Sequence, residues 1–293
     1  MIFSEALKTF LSQKISQLYL KPIKIESVKS ISGGDINDAY CLFTNQGKFF
    51  IKCNNSNKYP NMFYAEASGL ELLAKQDVID LPNVIAVEEF NEDSFLILQF
   101  IDSAPKIDGY STIFGQELAS LHRKTHTSYG LDFDNYMGSL YQKNSFSNNW
   151  FDFFISNRLE VQYQLARNNG YFSHKYSLHF DNLYKQLPSI IPDEVPALIH
   201  GDLWGGNYIV TKKGTPCLID PAAYYGHRES DIAMTKLFGG FEQEFYDSYN
   251  DYFPLEKNWK QRIDILNLYP LLIHVNIFGR SYEQQVSDII KRF

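Results

Sequence analysis

The stretch Ile199-His200-Gly201-Asp202-Leu203-Trp204-Gly205-Gly206-Asn207 is followed, thirteen residues after the asparagine, by Asp220 inside Cys217-Leu218-Ile219-Asp220-Pro221. Asn207 to Val210 and Cys217 to Ile219 are both apolar-rich, and Lys213-Gly214 between them supplies a turn, so the segment reads as one short hairpin. Such a hairpin carries Asn207 at its start and Asp220 at its end, which brings a carboxamide and a carboxylate to one place beside Asp202. A fold that serves this chain must therefore gather three oxygen-bearing side chains at the mouth of one hairpin.

That set suits one chemistry. A phosphoryl group in flight resembles metaphosphate, so a protein that moves it supplies mainly position and positive charge, the latter through metal ions. Asp202 suits a base that accepts the proton of an attacking hydroxyl, and Asn207 with Asp220 offers the hard oxygen ligands that Mg²⁺ prefers while leaving room for ATP oxygens and water. Each residue alone has a plainer reading, Asp202 as a turn cap and Asn207 as a loop residue. At this spacing, with His200 and Gly201 beside them, they read as a catalytic loop and a metal-binding strand end.

Upstream residues supply the nucleotide's other contacts. Lys52 ends the strand Phe49-Phe50-Ile51-Lys52, and Glu66, fourteen residues on, opens the next helix. A strand lysine on the α- and β-phosphates, held by a helix glutamate, is the pairing that kinases use, although a lone strand lysine is usually a solvated edge charge. Ser32-Gly33-Gly34-Asp35 lies between the first two strands, where Gly33 and Gly34 let backbone N–H groups approach phosphate oxygens. The Asp35 carboxylate there would repel a triphosphate unless it points away. Gln99 and Ile101 end the fifth strand at a hinge, where backbone groups are placed for the adenine edge. Trp204 walls an acceptor pocket or packs in the core. Glu229 and Asp231 receive a polyol or cationic acceptor, or Asp231 caps the following helix and braces the catalytic loop. Arg228 is expected to pair with a nearby carboxylate.

The order of elements agrees. An amphipathic helix within Met1 to Leu20 precedes strands at Lys24–Ile31, Ala39–Thr44 and Lys48–Cys53, a helix at Tyr64–Gln76, and strands at Val84–Phe90 and Ser94–Phe100. From Tyr110 the pattern turns helical, with stripes over Trp150–Ala166 and Trp259–Phe278. The expected fold is α+β and bilobal, protein-kinase-like: a small five-stranded antiparallel lobe with a helix over residues 1–101, and a larger, mainly α-helical lobe over 102–293. The hinge falls at Ile101 to Lys106. After Asp220 the chain runs directly into Gly226-His227-Arg228-Glu229-Ser230-Asp231, without a long activation segment, which leaves the acceptor side open to a small molecule.

Composition excludes several classes. A net charge of -7 argues against nucleic-acid or anionic-membrane partners. No apolar run is long enough to span a bilayer, and the start of the chain is no signal peptide, so a cytoplasmic location is expected. Cys41, Cys53 and Cys217 sit singly in apolar runs, in neither disulfide nor zinc spacing, and read as buried free thiols.

These residues resemble the fructosamine (ketosamine) kinase family, a branch of the aminoglycoside phosphotransferase-like kinases, over nearly the whole chain. The most specific pieces are His200 to Asn207, Gly226 to Asp231 with Leu237-Phe238-Gly239-Gly240-Phe241, and His274-Val275-Asn276-Ile277-Phe278-Gly279; Trp150 to Phe154 with Arg158-Leu159 is similar too. The resemblance implies ATP- and Mg²⁺-dependent phosphorylation of the O3 hydroxyl of a ketosamine such as fructosamine or ribulosamine, free or on a glycated protein amine. The 3-phosphate is unstable, so the reaction repairs glycated amines. It implies Asp202 as base, Asn207 and Asp220 as magnesium ligands, Lys52 and Glu66 as the phosphate-binding pair, and Gly33 and Gly34 in the covering loop. Many relatives have a cysteine where this chain has Asp35, so thiol-linked control through that loop is not expected. Three rivals stand beside this reading: another acceptor within the fold (aminoglycoside, choline, homoserine or methylthioribose), a nucleotide-binding regulatory protein without chemistry, and a non-enzymatic helical interaction module.

Overall fold

A computed structural model describes residues 3–32 and 36–293. Gly33, Gly34 and Asp35, expected in the phosphate-covering loop, lie outside the described residues. The chain opens with α1 (Glu5–Tyr19), whose N-cap Ser4 accepts the Leu7 N–H at 3.2 Å. Leu7, Leu11 and Ile15 recur every four residues and form its buried stripe. Five strands follow, β1 (Ile25–Ile31), β2 (Asp38–Thr44), β3 (Gly47–Asn55), β4 (Val84–Phe90) and β5 (Asp93–Gln99), with α2 (Met62–Ala74) between β3 and β4. They form one sheet in the order β1-β2-β3-β5-β4, each neighbour antiparallel.

Strand alternation decides what each face of this sheet does. Tyr40, Leu42, Phe49, Ile51, Cys53, Phe95 and Ile97 pack with α1. Leu96 and Leu98, with Phe50, pack with Met62, Phe63, Ala67 and Leu70 of α2. Lys52 shares the Phe50 face because side chains two apart on a strand point the same way. This parity puts the lysine under the glutamate-bearing helix.

Beyond Gln99 an irregular segment leads to α3 (Tyr110–His122), and the rest is helices around short hairpins. The hairpins are β6 (Asn135–Met137) with β7 (Leu140–Gln142), and β9 (Tyr208–Val210) with β10 (Pro216–Leu218), while β8 (Ala197–Ile199) pairs with β11 (Tyr224–Gly226). The helices are α4 (Trp150–Phe154), α5 (Glu160–Asn168), α6 (Ser177–Ile190), α7 (Glu229–Met234), α8 (Gln243–Tyr252), α9 (Ile263–Leu266), α10 (Leu268–Phe278) and α11 (Glu283–Ile290). No helix among the described residues is long and apolar enough to cross a membrane. All three cysteines are buried and unbridged.

Two long helical stripes differ from expectation. The Trp150–Ala166 stripe is broken by a π-helical turn over Ile155–Leu159. Arg158 in that turn is buried, donates to the Lys143 carbonyl and Asn144 Oδ1 at 2.6 Å each, and lies 4.6 and 4.1 Å from the ring centroids of Phe153 and Tyr224. The wider turn accommodates a guanidinium inside an aromatic box, a tertiary demand that periodicity does not express. The Trp259–Phe278 stripe divides into a 3-10 turn (Trp259–Gln261), α9 and α10.

Glu117 on α3 is half-buried, and its Oε2 has no hydrogen-bond partner. Burial, then the Asp80 carboxylate, pushes its carboxyl up from 4.5 to about 7. A raised folded-state value on an acid means that the folded form holds the proton more tightly, so this stability is present below pH 4.5 and is lost as pH rises through about 7. Glu117→Gln should therefore gain on the parent by about 2.5 kcal/mol between pH 5 and pH 8. Urea denaturation of both proteins at the two pH values measures this, and a stability difference that does not change with pH would refute it.

Candidate active site

The catalytic loop hangs from β8, and its shape is dictated from beneath. Asp231 on α7 is buried, and its two carboxylate oxygens accept the backbone N–H groups of His200 at 2.7 Å and Gly201 at 2.9 Å. His122 Nε2 from α3 lies 3.2 Å from the same carboxylate, and its Nδ1 lies 2.8 Å from the Tyr249 hydroxyl of α8. The His200 ring continues the structure upward: Nε2 donates to the Ile219 carbonyl at 2.9 Å, while Nδ1 accepts the Asp202 N–H at 3.2 Å. Burial lowers the basicity of this imidazole and keeps it in the neutral tautomer that both contacts require. The Ala222 N–H returns to the His200 carbonyl at 2.9 Å. The strand end that carries Asp220 is thereby tied to the loop that carries Asp202.

Gly201 lies at φ +83, and an added Cβ would meet the Ala222 carbonyl oxygen at 2.2 Å. Only glycine permits both the left-handed backbone and this approach.

Asn207 Nδ2 donates to the Asp202 carbonyl at 2.8 Å and to Asp202 Oδ2 at 3.0 Å. These bonds spend the amide nitrogen and leave Oδ1 as the coordinating end of the carboxamide. Burial, then the neighbouring Asp220 and Asp231 carboxylates, push Asp202 up to about 7, against the Asn207 hydrogen bond and the Lys52 charge. A carboxyl so placed is matched to proton transfer near neutral pH. Asp220 sits at φ +56, a left-handed conformation uncommon for a residue with a side chain. Lys52 Nζ meets Glu66 Oε1 at 2.7 Å and Asp220 Oδ1 at 2.8 Å. Burial pulls the lysine down, but the two carboxylates overcome it and hold the ammonium above its ordinary value.

Lys52, Glu66, Gln99, Ile101, Asp202, Trp204, Asn207 and Asp220 all line one cleft of about 1040 Å³. The Gln99 side chain accepts the Asn83 N–H at 3.3 Å, and the Gln99 N–H donates to the Asn83 carbonyl at 2.9 Å. The donor set fits magnesium: Asn207 Oδ1 and the Asp220 carboxylate are hard oxygens, and two protein ligands leave positions for phosphate oxygens and water.

Two expected acceptor residues are elsewhere. Glu229 is buried and paired bidentately with Arg262, at 2.7 Å to Nε and 2.5 Å to Nη2. Asp231 is the brace described above. Neither lines the cleft, because in this part of the fold a buried charge is tolerated only with its partners already in place. Their neighbour Arg228 pairs with Glu194 through two 2.8 Å contacts, as expected of it. The same cleft is also walled by Trp204, Phe238, His274, Phe278 and Tyr282, with Ile36, Met137, Gly138 and Ile277. His274 Nδ1 must donate to the Pro270 carbonyl at 2.7 Å, which leaves Nε2 an acceptor. Of the tyrosines near the motifs, Tyr282 lines the cleft, Tyr224 packs in the core and Tyr225 stacks on His126. Phe238 and His274 lie in stretches notable in the sequence, yet nothing in residue type marks them as cleft-facing.

Gly201→Ala should displace the catalytic loop. The expected outcome is a loss of about 2 kcal/mol or more in urea denaturation, together with phosphoryl-transfer activity reduced to background. A variant of parental stability and rate would show that the close approach to Ala222 is not required.

The family model described as Fructosamine kinase matches residues 7–293. A protein of Enterococcus faecium (strain ATCC BAA-472 / TX0016 / DO) named "Probable ketoamine kinase" is 39% identical over 283 residues, covering 94% of this chain and 99% of that protein. The crystal structure named "Putative fructosamine-3-kinase" from Haemophilus somnus 129PT superposes with a TM-score of 0.88 at 30% identity, over 96% of each chain. At 14% identity, the aminoglycoside phosphotransferase APH(4)-Ia in ternary complex with ADP and hygromycin B shares the fold with a TM-score of 0.63, over 98% of each chain. The fold is thus the α+β architecture of the aminoglycoside phosphotransferase-like kinases.

Proposed function

Because the chain belongs to the fructosamine kinase family, we propose that it transfers the γ-phosphoryl group of ATP to the O3 hydroxyl of a ketosamine of the fructosamine or ribulosamine type. The observation that carries this reading is the convergence of Asp202, Asn207 and Asp220 on one cleft with Lys52 and Glu66 opposite them. The names of the relatives, a ketoamine kinase and a fructosamine-3-kinase, supply the acceptor class.

In this reading residues 1–101 clamp the nucleotide and residues 102–293 present the acceptor. The backbone of Gln99 and Ile101 receives the adenine edge, and Lys52, steadied by Glu66, contacts the α- and β-phosphates. Gly33 and Gly34 belong to the covering loop. Asn207 Oδ1 and Asp220 hold Mg²⁺, which when bound neutralises charge on the β- and γ-phosphates. Asp202 orients the O3 hydroxyl and accepts its proton as the O3–phosphorus bond forms and the bond to the bridging oxygen of ADP breaks. Trp204 walls the acceptor pocket. The product carries phosphate on the carbon beside the ketose carbonyl, a position from which elimination expels inorganic phosphate and hydrolysis of the resulting imine by water releases the amine, which is a deglycation chemistry. Residue composition favours neither nucleic acid nor an anionic membrane as partner, since the net charge is -7.

The decisive test is an acceptor panel with ADP release as readout, followed by Asp202→Asn. The expected outcome is turnover on ketosamines and little on choline, homoserine or aminoglycosides. In the variant kcat should fall by about 10² to 10⁴ fold with the KM for ATP little changed. Turnover on choline with none on ketosamines would redirect the acceptor assignment, and an unchanged rate in Asp202→Asn would overturn the base.

A further inference from the structure

The turn between Trp204 and Asn207 is closed by the Asn207 N–H on the Trp204 carbonyl at 3.0 Å, and Gly205 and Gly206 are its two central residues. Neither lies in the left-handed region, so the backbone does not itself demand glycine at either place. Their surroundings differ sharply. A Cβ on Gly205 would meet nothing within 4 Å beyond its chain neighbours Trp204 and Gly206, whereas a Cβ on Gly206 would meet Cη2, Cζ2 and Cζ3 of the Trp204 indole at 2.4, 2.5 and 2.8 Å. The six-membered ring of Trp204 therefore occupies the space that any side chain at position 206 would take. Trp204 is 36% exposed, and the aromatic ring against it is Phe238, edge-on at 5.8 Å between centroids.

The indole's place bears on the acceptor. Trp204 is two residues from the proposed base and lines the same cleft. The carboxylates lining that cleft among the described residues are Glu66, Asp202 and Asp220. Glu66 is spent on Lys52, Asp220 is proposed for the metal and Asp202 for the reacting hydroxyl. Glu229 and Asp231, the other acidic groups of the neighbouring motif, are turned into the core. Among the described lining residues, a protonated secondary amine on the acceptor thus finds no spare carboxylate, while the aromatic face of Trp204 attracts a cation.

We propose that Gly206 is a specificity-determining residue: the absence of a side chain there holds the Trp204 indole across the turn, where it forms the face against which the amine-bearing arm of the acceptor packs. This rests on the ketosamine kinase reading and identifies which part of the acceptor is read by which wall. Gly206 acts through Trp204 and is a positioning residue, not a catalytic one.

The test uses the full chain as Gly206→Ala, with Gly205→Ala as control and Trp204→Leu as the limiting case. Acceptors are a ketosamine with a protonated secondary amine and the same ketose without the amine. Gly206→Ala should raise the KM for the ketosamine by about tenfold, while the KM for ATP and the rate on the free ketose stay within about twofold of the parent. Gly205→Ala should follow the parent, and adding Gly206→Ala to Trp204→Leu should cost nothing further. A parental ketosamine KM in Gly206→Ala, an equal rise in the KM for ATP, or additive effects in the double variant would each overturn the proposal. Should the parent turn over no ketosamine, the family activity fails rather than the role of Gly206. That role is then read from ¹⁹F spectra of the 5-fluorotryptophan protein, which has three tryptophans. The Trp204 resonance, identified by its loss in Trp204→Leu, should move in Gly206→Ala and not in Gly205→Ala; an unmoved resonance would overturn it.

Discussion

The arrangement depends on one buried carboxylate. Asp231 is 1% exposed, yet it accepts two consecutive backbone N–H groups of the catalytic loop and faces His122. Burial alone would raise its carboxyl; the hydrogen bond and charge of His122, with the His200 ring and the Gly201 N–H, hold it below its ordinary range instead. Hydrogen bonds to a charged group contribute about 1.5 to 3 kcal/mol each, and breaking them would leave a buried charge unpartnered. From this anchor the order passes outward: the loop backbone fixes the His200 ring, the ring fixes the Ile219 carbonyl, and the next residue is Asp220. A side chain with no access to the cleft thus places two that line it.

Lys52 performs the complementary task from the other side of the cleft. Its ammonium joins Glu66, carried by the helix on the five-stranded sheet, to Asp220, carried by the hairpin opposite. Asp220 adopts a left-handed backbone that costs on the order of 1 to 2 kcal/mol. The surrounding bonds, Ala222 N–H to the His200 carbonyl and Ile219 N–H to the Asn207 carbonyl, offset that strain. At the outer edge, Asp102 in the connecting segment lies against Lys48 of β3 and 3.0 Å from Lys212 of the β9–β10 turn, so this segment is pinned from both sides by charges at the surface. These outer pairs are screened by solvent and contribute little by themselves.

Much of this was legible in the chain because it was local. Alternation and turn residues mark the five strands to within a residue or two, and strand parity carries Lys52 to the face of α2. The hairpin reading brings Asn207 and Asp220 together because both lie within one short antiparallel unit. What stayed hidden was set by packing at long range. Glu229 looks like an acceptor ligand in a list of acidic residues, and only the fold reveals Arg262 waiting for it, whereas a bracing role for Asp231 was already among the expectations. The π-helical turn at Arg158 answers to the distant rings of Tyr224 and Tyr269, the Lys143 carbonyl and Asn144 Oδ1. Phe238, His274 and Tyr282 are ordinary members of a chain with 20 Tyr and 23 Phe, and composition cannot separate a cleft wall from a core.

The central claim is that Asn207 and Asp220 hold a divalent cation under the γ-phosphate while Asp202 stays free for the acceptor. Anomalous scattering from Mn²⁺ in crystals grown with a non-hydrolysable ATP analogue tests it directly. The account predicts an ion within about 2.3 Å of Asn207 Oδ1 and an Asp220 oxygen, with further positions taken by phosphate oxygens and water and none by Asp202. An ion ligated by Asp202 or Glu66, or seated outside the cleft, would contradict it.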